Sequence, residues 1–229
     1  MTHKHLTQWL TVMLLLVATL GAYAQNDILK WEPDIRAFEQ LDATRTYDPN
    51  AILFVGSSSI RLWKSIDADM QPYPVIQRGY GGAKFTDLNH YLHRIITPEH
   101  RFRAVVVFVA NDINGGNSDR KPKEVHKSFQ KLVKQVRKHH KSEPIFFVEI
   151  TPTPSRWKVW SQTKDANLRV AKFCNRKKGV EFIATSHRYL DNFKQPRKEL
   201  FMADQLHFNA EGYAIWTELI KAELDKKLK

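Results

Sequence analysis

An α/β fold with a parallel sheet is what the amino-acid sequence predicts, and three observations carry that reading. Short apolar runs recur at residues 51–55, 104–109 and 145–150, with weaker ones at 180–183 and 74–76. Their hydrophobicity is continuous rather than alternating, the mark of strands covered on both faces. Amphipathic helical patterns separate them, and strands alternating with helices build parallel sheets. Composition agrees: 229 residues are room for one well-buried domain, and 42% hydrophobic with 26% charged residues is ordinary for a globular chain. A multi-span membrane protein, a collagen-like fibre and a disordered tail are excluded on the same grounds.

The elements follow in chain order. Residues 1–24 read as a secretory signal: Lys4 gives a positive start, residues 9–20 are almost wholly apolar, and Ala22-Tyr23-Ala24 offers a small-x-small cleavage site. The apolar run is nearer a dozen residues than the roughly 20 that a spanning helix needs. The mature domain is therefore expected over 25–229, exported to the periplasm or the exterior. Ile28, Trp31, Ile35, Phe38 and Leu41 have helical spacing over 27–46, broken at Asp48-Pro49. A short helix-like Ile60-Arg61-Leu62-Trp63 follows the first strand. Val125, Phe129, Leu132, Val133 and Val136 form one helical stripe, and a further helix is expected from about 164 to 174. Tyr213, Trp216, Ile220 and Leu224 form the last stripe, with Asn209 as its N-cap. No repeat or low-complexity linker divides the chain. Glu149 stands inside the run 145–150, a buried carboxylate to which the sequence assigns no purpose.

The formal net charge of +12 arises from 36 Lys+Arg against 24 Asp+Glu. Lys121, Lys123, Lys127, Lys131, Lys134, Lys138 and Lys141 cluster on and around one helix, but they occupy its polar face, and no nucleic-acid motif accompanies them. Nucleic acid is not expected as a partner, whereas electrostatic contact with an anionic surface is. Cys174 is the only cysteine, so neither an intrachain disulfide nor a multi-thiolate zinc site is possible. The histidines, His139-His140 included, lack ligand-like spacing with carboxylates, and no metal or cofactor is expected. The oligomeric state is not legible.

In parallel sheets ligands bind beyond the carboxyl ends of the strands, so chemistry is sought there. Gly56-Ser57-Ser58-Ser59 follows the first run. It reads either as a tight turn with a serine N-cap or as a nucleophile at a helix N-terminus, near free backbone N–H groups. It lacks the glycines and lysine of a phosphate loop. Arg78-Gly79-Tyr80-Gly81-Gly82-Ala83 allows close backbone approach, or simply a turn. Asn111-Asp112 after the run 104–109 either caps a turn or offers an amide donor. Asp204 stands three residues before His207, and a close carboxylate holds an imidazole in the tautomer that a general base requires.

These four blocks in this order resemble the SGNH hydrolases, also called the GDSL esterase/lipase family. Gly56-Ser57-Ser58 is similar to the first block, with Ser57 in place of its aspartate, and this register makes Ser58 the nucleophile. Gly79-Tyr80-Gly81-Gly82 is similar to the second block, Asn111-Asp112 to the third and Asp204-x-x-His207 to the fourth. The third block departs from the family pattern by lacking a glycine just ahead of Asn111. The resemblance implies a flavodoxin-like three-layer α/β/α sandwich with a five-stranded parallel sheet. It also implies ester hydrolysis through an acyl-enzyme: Ser58 attacks, His207 acts as base and then acid, and Asp204 orients His207. The oxyanion hole would be the N–H groups of Ser58 and Gly82 with the Asn111 amide.

For the substrate, Trp157 and Trp160 lie in the segment after the fourth strand, where aromatic rings either stack on a sugar or pack the next helix. The reading is removal of a small acyl group, acetyl foremost, from a carbohydrate. A lysophospholipase or lipid-acyl esterase is the alternative enzyme, and a polyanion-binding protein with a degenerate site the non-enzyme alternative.

Overall fold

The computed structural model describes residues 29–228. The expected signal segment 1–24, and residues 27 and 28 of the expected first helix, lie outside the described residues. The chain runs α1 (Glu32–Thr44), β1 (Ile52–Gly56), α2 (Ser58–Leu62), α3 (Ile66–Asp69), β2 (Val75–Gly79), α4 (Phe85–Ile95), β3 (Ala104–Phe108) and α5 (Pro122–Val136). It continues with β4 (Ile145–Val148), a 3-10 segment (Pro154–Val159), α6 (Trp160–Cys174), β5 (Val180–Ile183), α7 (Ser186–Tyr189), a 3-10 turn (Lys198–Leu200) and α8 (Ala210–Leu228).

The five strands form one parallel sheet in the order β2-β1-β3-β4-β5. This is the flavodoxin-like order, and its switch point lies between β1 and β3. Successive strand residues face opposite sides, so each strand feeds two cores. Leu53, Val55, Val105 and Val107 pack under α4, α5 and α6, while Ile52, Phe54, Val106 and Phe108 pack under α2 and α8. That is why the strands read as unbroken apolar runs.

The expected strands are all present, some shifted or trimmed. β3 stops at Phe108 and β4 at Val148, because Val109, Glu149 and Ile150 already belong to the loops of the binding edge. The weak run at 74–76 extends to Gly79. The expected stripe of α5 is its buried face, and the seven lysines are exposed. Asn209 caps α8 as expected, accepting the Gly212 N–H at 3.0 Å. The helix expected at 164–174 starts earlier, at Trp160.

Helix α4 was not foreseen. Its buried face holds Phe85, Leu88, Leu92 and Ile95 but also Asp87 and Asn89, and these polar residues blur the stripe. Both have structural partners. Asp87 accepts the Lys84 N–H at 3.0 Å and the Trp31 indole N–H at 3.2 Å, and Asn89 donates to the Ser128 carbonyl at 3.0 Å.

Candidate active site

At the switch point β1 ends in Gly56, whose register partner is Phe108 of β3. A Cβ on Gly56 would sit 1.9 Å from the Phe108 carbonyl oxygen, so only glycine lets the two strands approach this closely. That same carbonyl accepts the Ser57 N–H at 3.0 Å. The contact turns the chain sharply into α2, whose first residue is Ser58. Ser57 is fully buried and spends its backbone on this turn, its carbonyl accepting from Ile60 and Arg61 at 3.0 and 3.2 Å. The Tyr213 hydroxyl donates to the Ser59 carbonyl at 2.9 Å and ties α2 to α8.

Ser58, His207 and Asp204 stand in relay. The Ser58 Oγ lies 2.9 Å from His207 Nε2, and His207 Nδ1 lies 2.6 Å from Asp204 Oδ2. Asp204 Oδ1 accepts the N–H groups of Leu206 and His207 at 2.9 and 3.0 Å, which folds the loop so that the i, i+3 pair faces itself. Gln205 between them adopts φ +55°, a left-handed turn unusual for a side-chain-bearing residue. Burial alone would raise the Asp204 pKa. The backbone and ring hydrogen bonds from His207, with the Leu206 N–H, outweigh it and hold the carboxyl below its ordinary value. The relay therefore has a charged carboxylate on Nδ1, which leaves Nε2 free to accept a proton from the serine.

Asn111 lines the same small cavity as Ser58 and His207, about 30 Å³ in volume. Its Nδ2 donates to the Ala83 carbonyl at 3.0 Å, and its Oδ1 accepts from Arg156 at 2.7 Å. Gly82 is next to Ala83 and so joins the site through that bond, though it does not itself line the cavity. It adopts φ +68°, with the Trp31 ring packed against it. Among the described residues neither the Ser58 nor the Gly82 N–H donates to a protein acceptor.

The two tryptophans divide. Trp160 lines the cavity beside Ser58. Trp157 stacks on it, with ring centroids 6.1 Å apart and planes at 16°, and lines a second, open hollow of about 1010 Å³ with Asp191, Asn192, Gln195 and Arg197. Sequence reasoning missed Arg156. A lone arginine in a loop carries no spacing signal, and only the fold brings it to Asn111. Among the described residues no cluster of three or more His, Cys, Asp or Glu side chains could hold a metal ion.

Glu149 receives its explanation here. Its Oε2 accepts the N–H groups of Thr185 and Ser186, both at 2.7 Å, so the carboxylate caps the first turn of α7 across the β4–β5 edge. It stands just past β4 rather than inside it.

A doubly wound parallel sheet that holds a serine, a histidine and a carboxylate in relay at its switch point defines a hydrolase. More particularly, the chain belongs to the GDSL-like lipase/acylhydrolase family, whose profile spans residues 55–215. Similar folds include a Streptococcus pneumonia protein provisionally described as a platelet activating factor, with TM-score 0.75 and 19% identity over 90% of this chain and 99% of that one. A GDSL-like lipase from Bacteroides thetaiotaomicron gives TM-score 0.70 and 14% identity over 84% and 97%. A carbohydrate esterase family 3 protein from Talaromyces cellulolyticus gives 0.58 and 14% over 77% and 97%. At such identities the likeness is one of fold. A search of curated protein sequences finds no match.

Proposed function

We propose that this protein is a serine esterase that removes a small acyl group, acetyl foremost, from a carbohydrate. The observation that carries the reading is the Ser58–His207–Asp204 relay opening onto a cavity of about 30 Å³. A space that small takes one or two water-sized groups, enough for an acetyl methyl. Ile113, Ile150 and Trp160 give it an apolar lining suited to a methyl group. The open hollow beyond Trp157 would receive the alcohol portion, and its aromatic face and several polar side chains are of the kind that bind sugars. A carbohydrate esterase among the similar folds supports the same choice.

In this mechanism Ser58 Oγ passes its proton to His207 Nε2 and attacks the ester carbonyl carbon. The oxygen of the tetrahedral intermediate takes hydrogen bonds from the Ser58 and Gly82 N–H groups and from Asn111 Nδ2. His207 then protonates the departing sugar oxygen, leaving an acyl-Ser58 ester. Water enters and attacks the acyl carbon as His207 removes its proton. The Ser58 Oγ–acyl bond then breaks, His207 returns the proton to Oγ, and the acid leaves with Ser58 restored. Asp204 keeps the imidazole in one tautomer and stabilises the imidazolium. Residues 1–24 would deliver the enzyme outside the cytoplasm, where acetylated glycans are accessible.

The test is hydrolysis of p-nitrophenyl acetate, butyrate and octanoate by the wild type and by Ser58→Ala. The expected result is turnover that falls from acetate to octanoate and drops by at least about 10⁴-fold in the variant. Octanoate as the best substrate would overturn the small-acyl reading, and equal rates in the two proteins would remove Ser58 as nucleophile. Acetylated xylo-oligosaccharides then test the carbohydrate half, through release of free acetate.

A further inference from the structure

We propose that Arg156 is the positioning residue of the candidate oxyanion amide: its guanidinium holds Asn111 Oδ1 and the Ala110 carbonyl together, and so fixes which face of the Asn111 side chain meets the substrate. The inference rests on the reading of Asn111 as an oxyanion donor and adds to it what makes that donor competent.

The two ends of an asparagine amide are nearly the same size and opposite in polarity, so only its neighbours decide its orientation. Here they are unambiguous. Arg156 Nη2 donates to Asn111 Oδ1 at 2.7 Å, and a guanidinium has no acceptor to offer. On the other side the Ala83 carbonyl accepts from Asn111 Nδ2 at 3.0 Å, and a carbonyl has no proton to offer. Flipping the amide would set NH₂ against the cation and oxygen against oxygen, losing both bonds. Nδ2 is thereby locked with one hydrogen on Ala83 and the second left for the cavity that Asn111 shares with Ser58.

The second contact of Arg156 acts on the backbone. Its Nη1 donates to the Ala110 carbonyl at 2.7 Å, so one rigid fork grips consecutive residues at the end of β3. This is the stretch that lacks the family's glycine, and the grip fixes the peptide between Ala110 and Asn111. A hydrogen bond from a cation is also stronger than a neutral one, and it draws charge toward Oδ1 and sharpens the donor character of Nδ2.

The placement of Arg156 is itself specific. It lies in the 3-10 segment Pro154–Val159 with φ −112° and ψ 16°, off the helical path of its neighbours. The preceding Ser155 N–H donates to the Gln205 carbonyl at 3.1 Å, tying the segment to the loop that carries Asp204 and His207. Among the described residues no carboxylate comes within 4.0 Å of the guanidinium. An arginine serving only surface cohesion is more cheaply met by an acid than by two neutral acceptors in a cavity wall.

The experiment is a double-mutant cycle on p-nitrophenyl acetate with the purified protein: wild type, Arg156→Met, Asn111→Ala and the pair, with Arg156→Lys as the conservative variant. Loss of one oxyanion donor costs about 10²–10³-fold in kcat. Arg156→Met should cost about 10–100-fold in kcat with KM changed less than about 3-fold, and Arg156→Lys should recover part of the loss. In the Asn111→Ala background the same Arg156→Met change should cost less than about 3-fold, because the group it positions is gone. An equal cost in both backgrounds, or an effect confined to KM, would overturn the proposal in favour of an independent structural role or direct substrate binding. The side-chain NH₂ resonance of Asn111 supplies a readout without turnover: it should shift and broaden in Arg156→Met and return toward the wild-type position in Arg156→Lys. If that resonance responds while no variant, wild type included, hydrolyses an ester, the esterase reading fails and the positioning contact stands. An unmoved resonance with an intact fold would sink the contact itself.

Discussion

At position 56 a methyl group has nowhere to go. The Cβ of an alanine there would meet the Phe108 carbonyl oxygen at 1.9 Å, and φ is +153°, at the edge of what side-chain-bearing residues adopt. The obstacle is backbone in the next strand, so relief requires moving β3, which carries Ala110 and Asn111 at its end. Gly56→Ala should therefore destabilise the protein by about 3 kcal/mol and reduce activity beyond what the unfolded fraction explains. Urea denaturation followed by tryptophan fluorescence measures the first, and an unfolding midpoint unchanged from wild type would refute it. Gly82 makes the instructive contrast. Its φ is +68°, but a Cβ would meet only the Trp31 ring at 3.4 Å. Gly82→Ala should cost just the left-handed strain of about 1–2 kcal/mol while lowering kcat, because the strain is relieved by shifting the peptide that presents the candidate donor. Two glycines of one site thus differ in kind: Gly56 answers to packing between strands, Gly82 to the conformation of a loop.

Among the elements, α7 is the shortest kind of helix, four residues, and Glu149 gives it a fixed start. From Tyr189 at its end, the hydroxyl reaches the Gly212 carbonyl in α8 at 2.6 Å. Glu149→Ala would leave two N–H donors at 185 and 186 without an acceptor, at a cost of about 2–3 kcal/mol, and Glu149→Gln, which keeps one oxygen, should lose less than half of that. Thermal melts of the two variants decide this, and equal losses would mean that a single amide oxygen cannot replace the carboxylate as acceptor. The same element shows why some features were legible and others were not. Apolar runs and helical stripes reveal burial, and burial is what the five strands, α5 and α8 share, so they could be read directly. Ser58, Asn111 and His207 could be singled out as candidates because each follows a strand or precedes a helix in a recognisable block. Glu149, Asp87, Asn89 and Arg156 are polar residues at buried or half-buried places, and the partners that justify them lie 36, 56, 39 and 45 residues away in sequence. No local pattern announces a contact of that span. Trp157 and Trp160 fall between: their proximity was evident, but only the fold shows that one faces the small cavity and the other the open hollow.

For the molecule as a whole, the site sits where two cores meet the carboxyl edge of the sheet, and Asp112 is where that edge bears on global stability. The side chain is 1% exposed. Oδ2 accepts the Phe85 N–H that opens α4 at 2.9 Å, while Oδ1 has no hydrogen-bond partner and Arg120 Nε stands 3.6 Å away. Burial is the dominant influence, pushing the pKa up to about 6; the Phe85 N–H, Arg120 and Lys84 pull it down, and Asp87 pushes it up. In the unfolded chain the same carboxyl ionises near pH 4. Below about pH 4 it is protonated in both states and folding is unaffected by it. Between about 4 and 6 only the unfolded chain releases the proton, so folding stability falls as pH rises through that window, and above about 6 the loss is complete and constant. The total is about 3 kcal/mol. Other groups contribute to the pH dependence of folding, so the contribution of Asp112 has to be isolated by difference. Asp112→Asn keeps an oxygen for the Phe85 N–H and cannot ionise. The stability of the wild type minus that of Asp112→Asn, from urea unfolding at pH 4 to 8, should fall by about 3 kcal/mol up to about pH 6–7 and then level off. A difference that rises with pH would mean that the ionised carboxylate is the stabilising form through Arg120, and a flat one would mean that burial leaves this carboxyl at its ordinary value.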